Sequence, residues 1–175
     1  RRGYSASYTQ TLDAQEIDEK TALNLISTTT KFFSISKKFY KLHAKLLKKE
    51  KLSYADRSAP IGKIKKQFSF DSAVKLVSES FVVADKKYSD LLQTFLNRGQ
   101  IDAFPKLSKT SGGYCAPSFN NPTFVLLNHT DDLRSVETLA HEMGHAIHSD
   151  LSSKQLSQYQ ELSMSTAEVA STFFE

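Results

Sequence analysis

Apolar residues recur at helical spacing along most of this 175-residue chain and alternate at strand spacing in one short stretch. The first helical pattern opens at Asp13, which stands with Glu16 at capping-box spacing, and it runs over 13–27. In the next, Phe32, Ile35, Phe39, Leu42 and Leu46 line one face while Lys38, Lys41, Lys45, Lys48 and Lys49 occupy the other, which predicts a basic amphipathic helix. The stretch 52–67 contains Pro60, Gly62 and a second basic cluster, and reads as a loop with short irregular or extended structure. Helical spacing returns at Val74, Val77, Phe81, Ala84, Tyr88, Leu91 and Phe95. A break at 85–87 divides these into two helices, and Gly99 follows where a C-terminal cap belongs. The stripes themselves are read as core.

The character of the chain changes at Ile101. Between 111 and 128, the paired glycines Gly112 and Gly113, Pro117, the Asn120-Asn121-Pro122 turn and the β-favouring run Thr123-Phe124-Val125 predict a hairpin, the one convincing strand signal. Residues 134–150 then lack proline and form a long helix. Its single glycine, Gly144, costs about 1 kcal/mol relative to alanine but lets another backbone approach closely. The run Thr166-Ala167-Glu168-Val169-Ala170-Ser171-Thr172 predicts a second helix, whose small residues allow it to pack against the first. The predicted fold class is therefore mainly α, with a short antiparallel β-hairpin before the 134–150 helix. The predicted organisation is one segment, helical over 1–100 and carrying the hairpin and the last two helices over 101–175.

Composition changes this picture little. With 39% hydrophobic and 24% charged residues the chain has ordinary globular character, and disorder is excluded as its general state. No apolar run approaches the length of a membrane span and no signal-peptide pattern opens the chain. The net charge of +4 is modest, and no base-stacking motif, zinc knuckle or glycine-rich phosphate loop accompanies the lysines, so they read as a solvated helix face. Cys115 is the only cysteine, which excludes an intrachain disulfide and fits a reducing, cytoplasmic compartment. Beside Tyr114 and Ala116 in the predicted strand, it reads as a small buried side chain and not as a nucleophile. The chain begins at Arg1 and ends at Glu175 inside an apolar helical pattern, which reads as a piece of a longer protein.

The chemistry sits in the 134–150 helix. The run Leu139-Ala140-His141-Glu142-Met143-Gly144-His145 contains His-Glu-x-x-His, a pattern expected by chance in a chain of this composition with a probability on the order of 1%. Residues four apart on a helix stand one above the other, about 6 Å along the axis, so His141 and His145 can converge on one metal ion. Glu142 points beside them, where a carboxylate can hold and deprotonate a water. A catalytic zinc takes three protein ligands, and the third must come from elsewhere. Glu168 is favoured over Glu161, because it lies in the small-residue helix while Glu161 sits in a polar stretch with Gln158 and Gln160. His148 lies about 10 Å along the axis from His141, too far to share its ion, and reads as a histidine that supports a ligand, contacts substrate or simply lies on the surface. Glu137, one turn before His141, can orient that imidazole or stand as a solvated carboxylate. The hairpin before this helix offers a free edge to an extended peptide, and Gly112 and Gly113 either admit its backbone or make an ordinary turn.

Four stretches now taken together resemble oligoendopeptidase F, a family related to thimet oligopeptidase: Ser111-Gly112-Gly113-Tyr114-Cys115, Asn121-Pro122-Thr123-Phe124-Val125-Leu126-Leu127-Asn128, the run from Thr138 to Ser149, and Ala167-Glu168-Val169-Ala170-Ser171-Thr172-Phe173. The likeness extends upstream through Asp56-Arg57-Ser58-Ala59-Pro60 and Ile101-Asp102-Ala103-Phe104-Pro105. One departure is Phe174, where the family pattern leads one to expect Asn before Glu175. The resemblance implies one Zn²⁺ per chain held by His141, His145 and Glu168, with Glu142 as general base. It further implies oligopeptide substrates limited in length. Gly112, Gly113 and Tyr114 are the candidate substrate-binding residues, and the charge, motifs and hydropathy above lead to the expectation of no nucleic-acid or membrane partner. In the family, histidine and tyrosine side chains C-terminal to this stretch help to stabilise the oxyanion. The reading is a zinc-dependent metalloendopeptidase core. Its alternatives are a metal-binding but catalytically incomplete fragment or interaction module, and a basic helical nucleic-acid-binding domain.

Overall fold

The computed structural model describes residues 3–4, 6–62, 66–118, 121–160 and 162–175, and the chain divides into two compact units, residues 1–65 and 66–175. The first unit contains α1 (Thr9–Ala14), α2 (Glu19–Lys31) and α3 (Phe33–Leu46). Asp13 is not the helix start that the sequence predicts, because it lies inside α1. Glu16, its intended partner, has φ 55, a left-handed conformation that no residue in the first turn of a helix can hold. The cap is Asp18, whose carboxylate accepts the Thr21 N–H at 3.0 Å and the Thr21 hydroxyl at 2.5 Å.

The predicted stripe on α3 does not become core. Phe32, Ile35, Phe39, Leu42 and Leu46 are each more than half exposed, and the buried residues of α3 are His43 and Ala44. His43 decides this, because its Nε2–H donates to the Ala59 carbonyl at 3.0 Å and turns its own face of the helix toward the following loop. That loop contains a 3₁₀ turn, Tyr54–Asp56, closed by a capping box in which Asp56 accepts the Ser53 N–H at 2.9 Å. Asp56 also pairs with Lys49.

The second unit is built around one long helix. Its helices are α4 (Phe70–Ala84), α5 (Lys86–Asn97), α6 (Leu133–Ser152) and α7 (Met164–Phe174), with a 3₁₀ turn at Ser157–Tyr159 before the last. The predicted break is the extended residue Asp85, whose carboxylate caps α5 by accepting the Lys87 N–H at 2.9 Å. Gly99 ends α5 as expected. Its φ of 66 allows Gln100 N–H to reach the Phe95 carbonyl at 2.9 Å while Gly99 N–H reaches Leu96 at 3.1 Å, a Schellman closure.

The predicted hairpin is β2 (Tyr114–Ser118) paired antiparallel with β3 (Asn121–Leu126), in the register Cys115 to Val125. Its tip, including Asn120 of the predicted turn, lies outside the described residues. The register slips between Ala116 and Ser118, around Pro117, which has no N–H to give and is tolerated because β2 is an edge strand. A third strand, β1 (Ile101–Asp102), runs parallel to β3 on its other side, so the order is β1-β3-β2. Two residues are too few to show alternation in a sequence, and the strand exists only through its pairing with β3.

Phe81 of α4, Leu92 and Phe95 of α5, Val125 of β3 and Leu139, Met143 and Ile147 of α6 form the centre of the core, each 4% exposed or less. Burial of side chains this size contributes about 1.5 to 3 kcal/mol each, which fixes α6 as the axis on which the unit is assembled. Phe174, the departure from the family pattern, packs at 4.8 Å from Phe81 and 4.9 Å from Tyr88 between ring centres, and so anchors the end of α7 to the α4–α5 pair. The buried His129 ties the approach to α6. Its Nε2–H donates to the Phe68 carbonyl at 2.7 Å, its backbone N–H donates to Ala103, and the Phe68 N–H returns to the Asp131 carbonyl.

Candidate metal centre

The N-terminus of α6 is set by Asp132, whose carboxylate accepts the Ser135 N–H at 2.7 Å and the Ser135 hydroxyl at 2.8 Å. These hydrogen bonds hold the Asp132 carboxyl below its ordinary value. Two and a half turns later, His141 and His145 leave the opposite side of the helix from the core stripe, with ring centres 5.0 Å apart. The helix α7 crosses here at very short range because position 144 has no side chain. A Cβ on Gly144 would lie 2.8 Å from the Ser171 Cα and 2.9 Å from the Ala170 carbonyl oxygen, so glycine is what the crossing requires.

That crossing delivers Glu168. Its Oε2 lies 3.4 Å from His141 Nε2 and 3.7 Å from His145 Nε2, and the three donor atoms all fall within 4.8 Å of one another. Ligands about 2.0 to 2.2 Å from a tetrahedral zinc stand roughly 3.3 Å apart, so the two measured edges match such a site closely. Among the described residues, no other group of three His, Cys, Asp or Glu side chains converges in this way. The donor chemistry fits a cation as well as the spacing does. Burial, reinforced by the charges of His141 and His148, lowers the His145 value, so the neutral imidazole with a free lone pair is favoured there, even though the Glu168 carboxylate and the Ala167 carbonyl pull the other way. A lone pair facing a carboxylate at this range is repulsive until a positive ion lies between them.

Glu142 is 7% exposed and lies on the sheet side of the histidines. Burial, the largest influence, pushes its carboxyl above the ordinary value. A charged His141 pulls it down, the Glu168 charge pushes it up again, and the Cys115 backbone N–H favours the ionised form. Gly113 makes room for it, since a Cβ there would meet Thr138 Cγ2 at 2.7 Å and Glu142 Oε1 at 3.0 Å. The space at Gly113 is thus filled by the protein's own α6 side chains. Gly112, with φ 83 and nothing near its absent Cβ, is a turn glycine. Asn128 pins this turn, its Nδ2 donating to the Thr110 and Gly112 carbonyls at 2.8 Å each.

A cleft of about 480 Å³ opens beside the histidines, with Gly112, Gly113, Asn128, Thr138, His141 and Glu142 on its walls. Tyr114 begins the edge strand β2, is 46% exposed and is not part of those walls. His148 is half-buried outside the donor cluster, and Glu161 lies outside the described residues. Glu137 borders the cleft and is exposed. Glu137 thus matches the solvated carboxylate of its two expected readings, and the acid beside His141 is Glu175, whose Oε2 lies 3.1 Å from His141 Nδ1. Ser171 is the other residue that the sequence does not single out. Fully buried, it donates its hydroxyl to Glu168 Oε2 at 2.7 Å. The only sequence signal for either is their spacing from Glu168, three and seven positions on, which places all three on one face of a helix.

The sequence model of Peptidase family M3 matches residues 1–175. An oligoendopeptidase F homolog of Borreliella burgdorferi is 31% identical over 156 residues, 87% of this chain and 26% of that protein. The group B oligopeptidase PepB of Streptococcus agalactiae is 30% identical over 170 residues, 97% of this chain and 28% of that one. A crystal structure of a candidate peptidase from Chlamydophila abortus superposes with a TM-score of 0.73 at 30% identity, covering 97% of this chain and 29% of its own. The chain therefore spans about a quarter of the length of the relatives it matches.

Proposed function

The chain belongs to Peptidase family M3, and from that premise we propose that it carries the metal centre of a zinc-dependent endopeptidase acting on oligopeptides. The observation that carries the reading is the convergence of His141, His145 and Glu168 next to a buried Glu142 that is not one of the donors. His141, His145 and Glu168 would hold the ion and leave one position open. Zinc bound there supplies Lewis acidity, which lowers the pKa of water and polarises a peptide carbonyl.

The remaining chemistry belongs to the protein. Glu142, its proton affinity raised by burial, takes a proton from the attacking water and passes it to the leaving amine, as a general base and then a general acid. The walls of the cleft hold the scissile bond near it. Among the described residues β2 is an edge strand, and an extended peptide could add to it by backbone hydrogen bonds. Among the described residues no helix is long and apolar enough to cross a membrane.

The test pairs metal content with turnover. Purified protein should contain one zinc per chain, and Glu142→Gln should keep it while hydrolysis of a quenched fluorescent peptide, by a polypeptide carrying residues 1–175, falls by on the order of 10²-fold or more. Metal-free protein that takes up no zinc, or undiminished hydrolysis by the variant, would overturn the reading.

A further inference from the structure

We infer that Glu175 is a positioning residue for the metal centre: it holds His141 in the one tautomer and ring orientation that present Nε2 to the ion. The inference rests on His141 being a ligand. A carboxylate can only accept, so the 3.1 Å contact between Glu175 Oε2 and His141 Nδ1 places the ring proton on Nδ1. In the neutral ring that binds a metal, the lone pair is then on Nε2, the atom that lies 3.4 Å from the Glu168 carboxylate. Without a partner the ring can put its proton on either nitrogen, and the protein must then spend part of its metal affinity in selecting the right form.

The geometry makes this a property of one helix face. Glu168 and Ser171 on α7 and Glu175 at its C-cap stand at intervals of three and four, and the Glu175 N–H still donates to the Ser171 carbonyl at 3.1 Å, so the third donor, the hydroxyl that steadies it and the carboxylate that orients its neighbour move as one body. That body is fixed on both sides of the site. Gly144 lets its middle approach α6 to within van der Waals range, and Phe174 seats its end between Phe81 and Tyr88, one residue before Glu175. The other acid near His141, Glu137, is exposed, and the structure gives the Nδ1 position to Glu175.

The experiment measures the ring and the ion separately. Proton–nitrogen NMR of zinc-loaded protein should show the His141 Nδ1–H as a downfield, exchange-protected signal in the wild type and as a shifted, fast-exchanging one in Glu175→Ala. Competition with a fluorescent zinc chelator should show affinity weakened 10- to 100-fold in Glu175→Ala. Glu175→Gln, whose amide oxygen can still accept, should fall between the two. The side chain is about half exposed, so thermal melting should be unchanged in both variants. Wild-type zinc binding with an unaltered Nδ1–H signal and affinity in Glu175→Ala would overturn this inference and leave the metal reading standing. Absence of zinc binding by the wild type would overturn both.

Discussion

Cys115 is half-buried in β2, and burial, together with the charge of Glu142, pushes its thiol up to about 12. Two consequences follow from the direction of that shift. The folded protein keeps the proton to a higher pH than the unfolded chain, so this group's contribution to stability is complete below the ordinary thiol value and is lost progressively as pH rises from there to about 12. Because the thiolate is the reactive form, iodoacetamide at pH 8 should modify native Cys115 far more slowly than the same residue in guanidinium. Labelling at the rate of an unfolded thiol would contradict the burial described for it. Elsewhere at this scale, legibility follows sequence distance. His141, Glu142 and His145 can be read directly because a helix repeats every four residues, whereas Glu175 is 34 positions from the ring it touches and no local pattern joins them.

At the scale of elements, the crossing of α6 and α7 is the feature on which the site depends. Replacing an internal helix glycine with alanine ordinarily gains about 1 kcal/mol of helix propensity. At position 144 the added carbon would meet backbone atoms of Ala170 and Ser171, which cannot rotate away, and overpacking of this kind typically costs about 1 to 3 kcal/mol. Gly144→Ala should therefore lower the melting temperature and also weaken zinc binding, because α7 must shift outward with Glu168 on it. A more stable protein with normal zinc affinity would mean that the crossing is looser than described. The sequence reading anticipates this close approach from the glycine and the small residues facing it. What it cannot supply is β1, nor the exposure of the α3 stripe, since both depend on what lies alongside and not on spacing along the chain.

For the whole molecule, the division into residues 1–65 and 66–175 places all three donors, Glu142, Glu175 and the contiguous core in the second unit. Residues 66–175 expressed alone should thus fold cooperatively and bind zinc within about threefold of the affinity of the 175-residue chain. Calorimetry and chelator competition on the two would check it. A melted or metal-free product would show that the first unit contributes to the stability of the site.

The sequence by itself determined α4 to α7, the hairpin and the residues of the candidate metal motif, because turn residues, apolar periodicity and the i to i+4 spacing of His141 and His145 are local properties of the chain, whereas the start it assigned to the first helix at Asp13 fell inside α1. It also favoured Glu168 over Glu161 as the candidate third donor by the character of its helix. Only the tertiary structure decided that Glu168 reaches the two imidazoles, that Gly113 accommodates Glu142, that Ser171 steadies Glu168, and that Glu175 and not Glu137 takes His141 Nδ1. Each of these depends on the distance between two helices or between a helix and a strand. That distance is set by the volume of side chains packed between them, which spacing along the sequence does not encode.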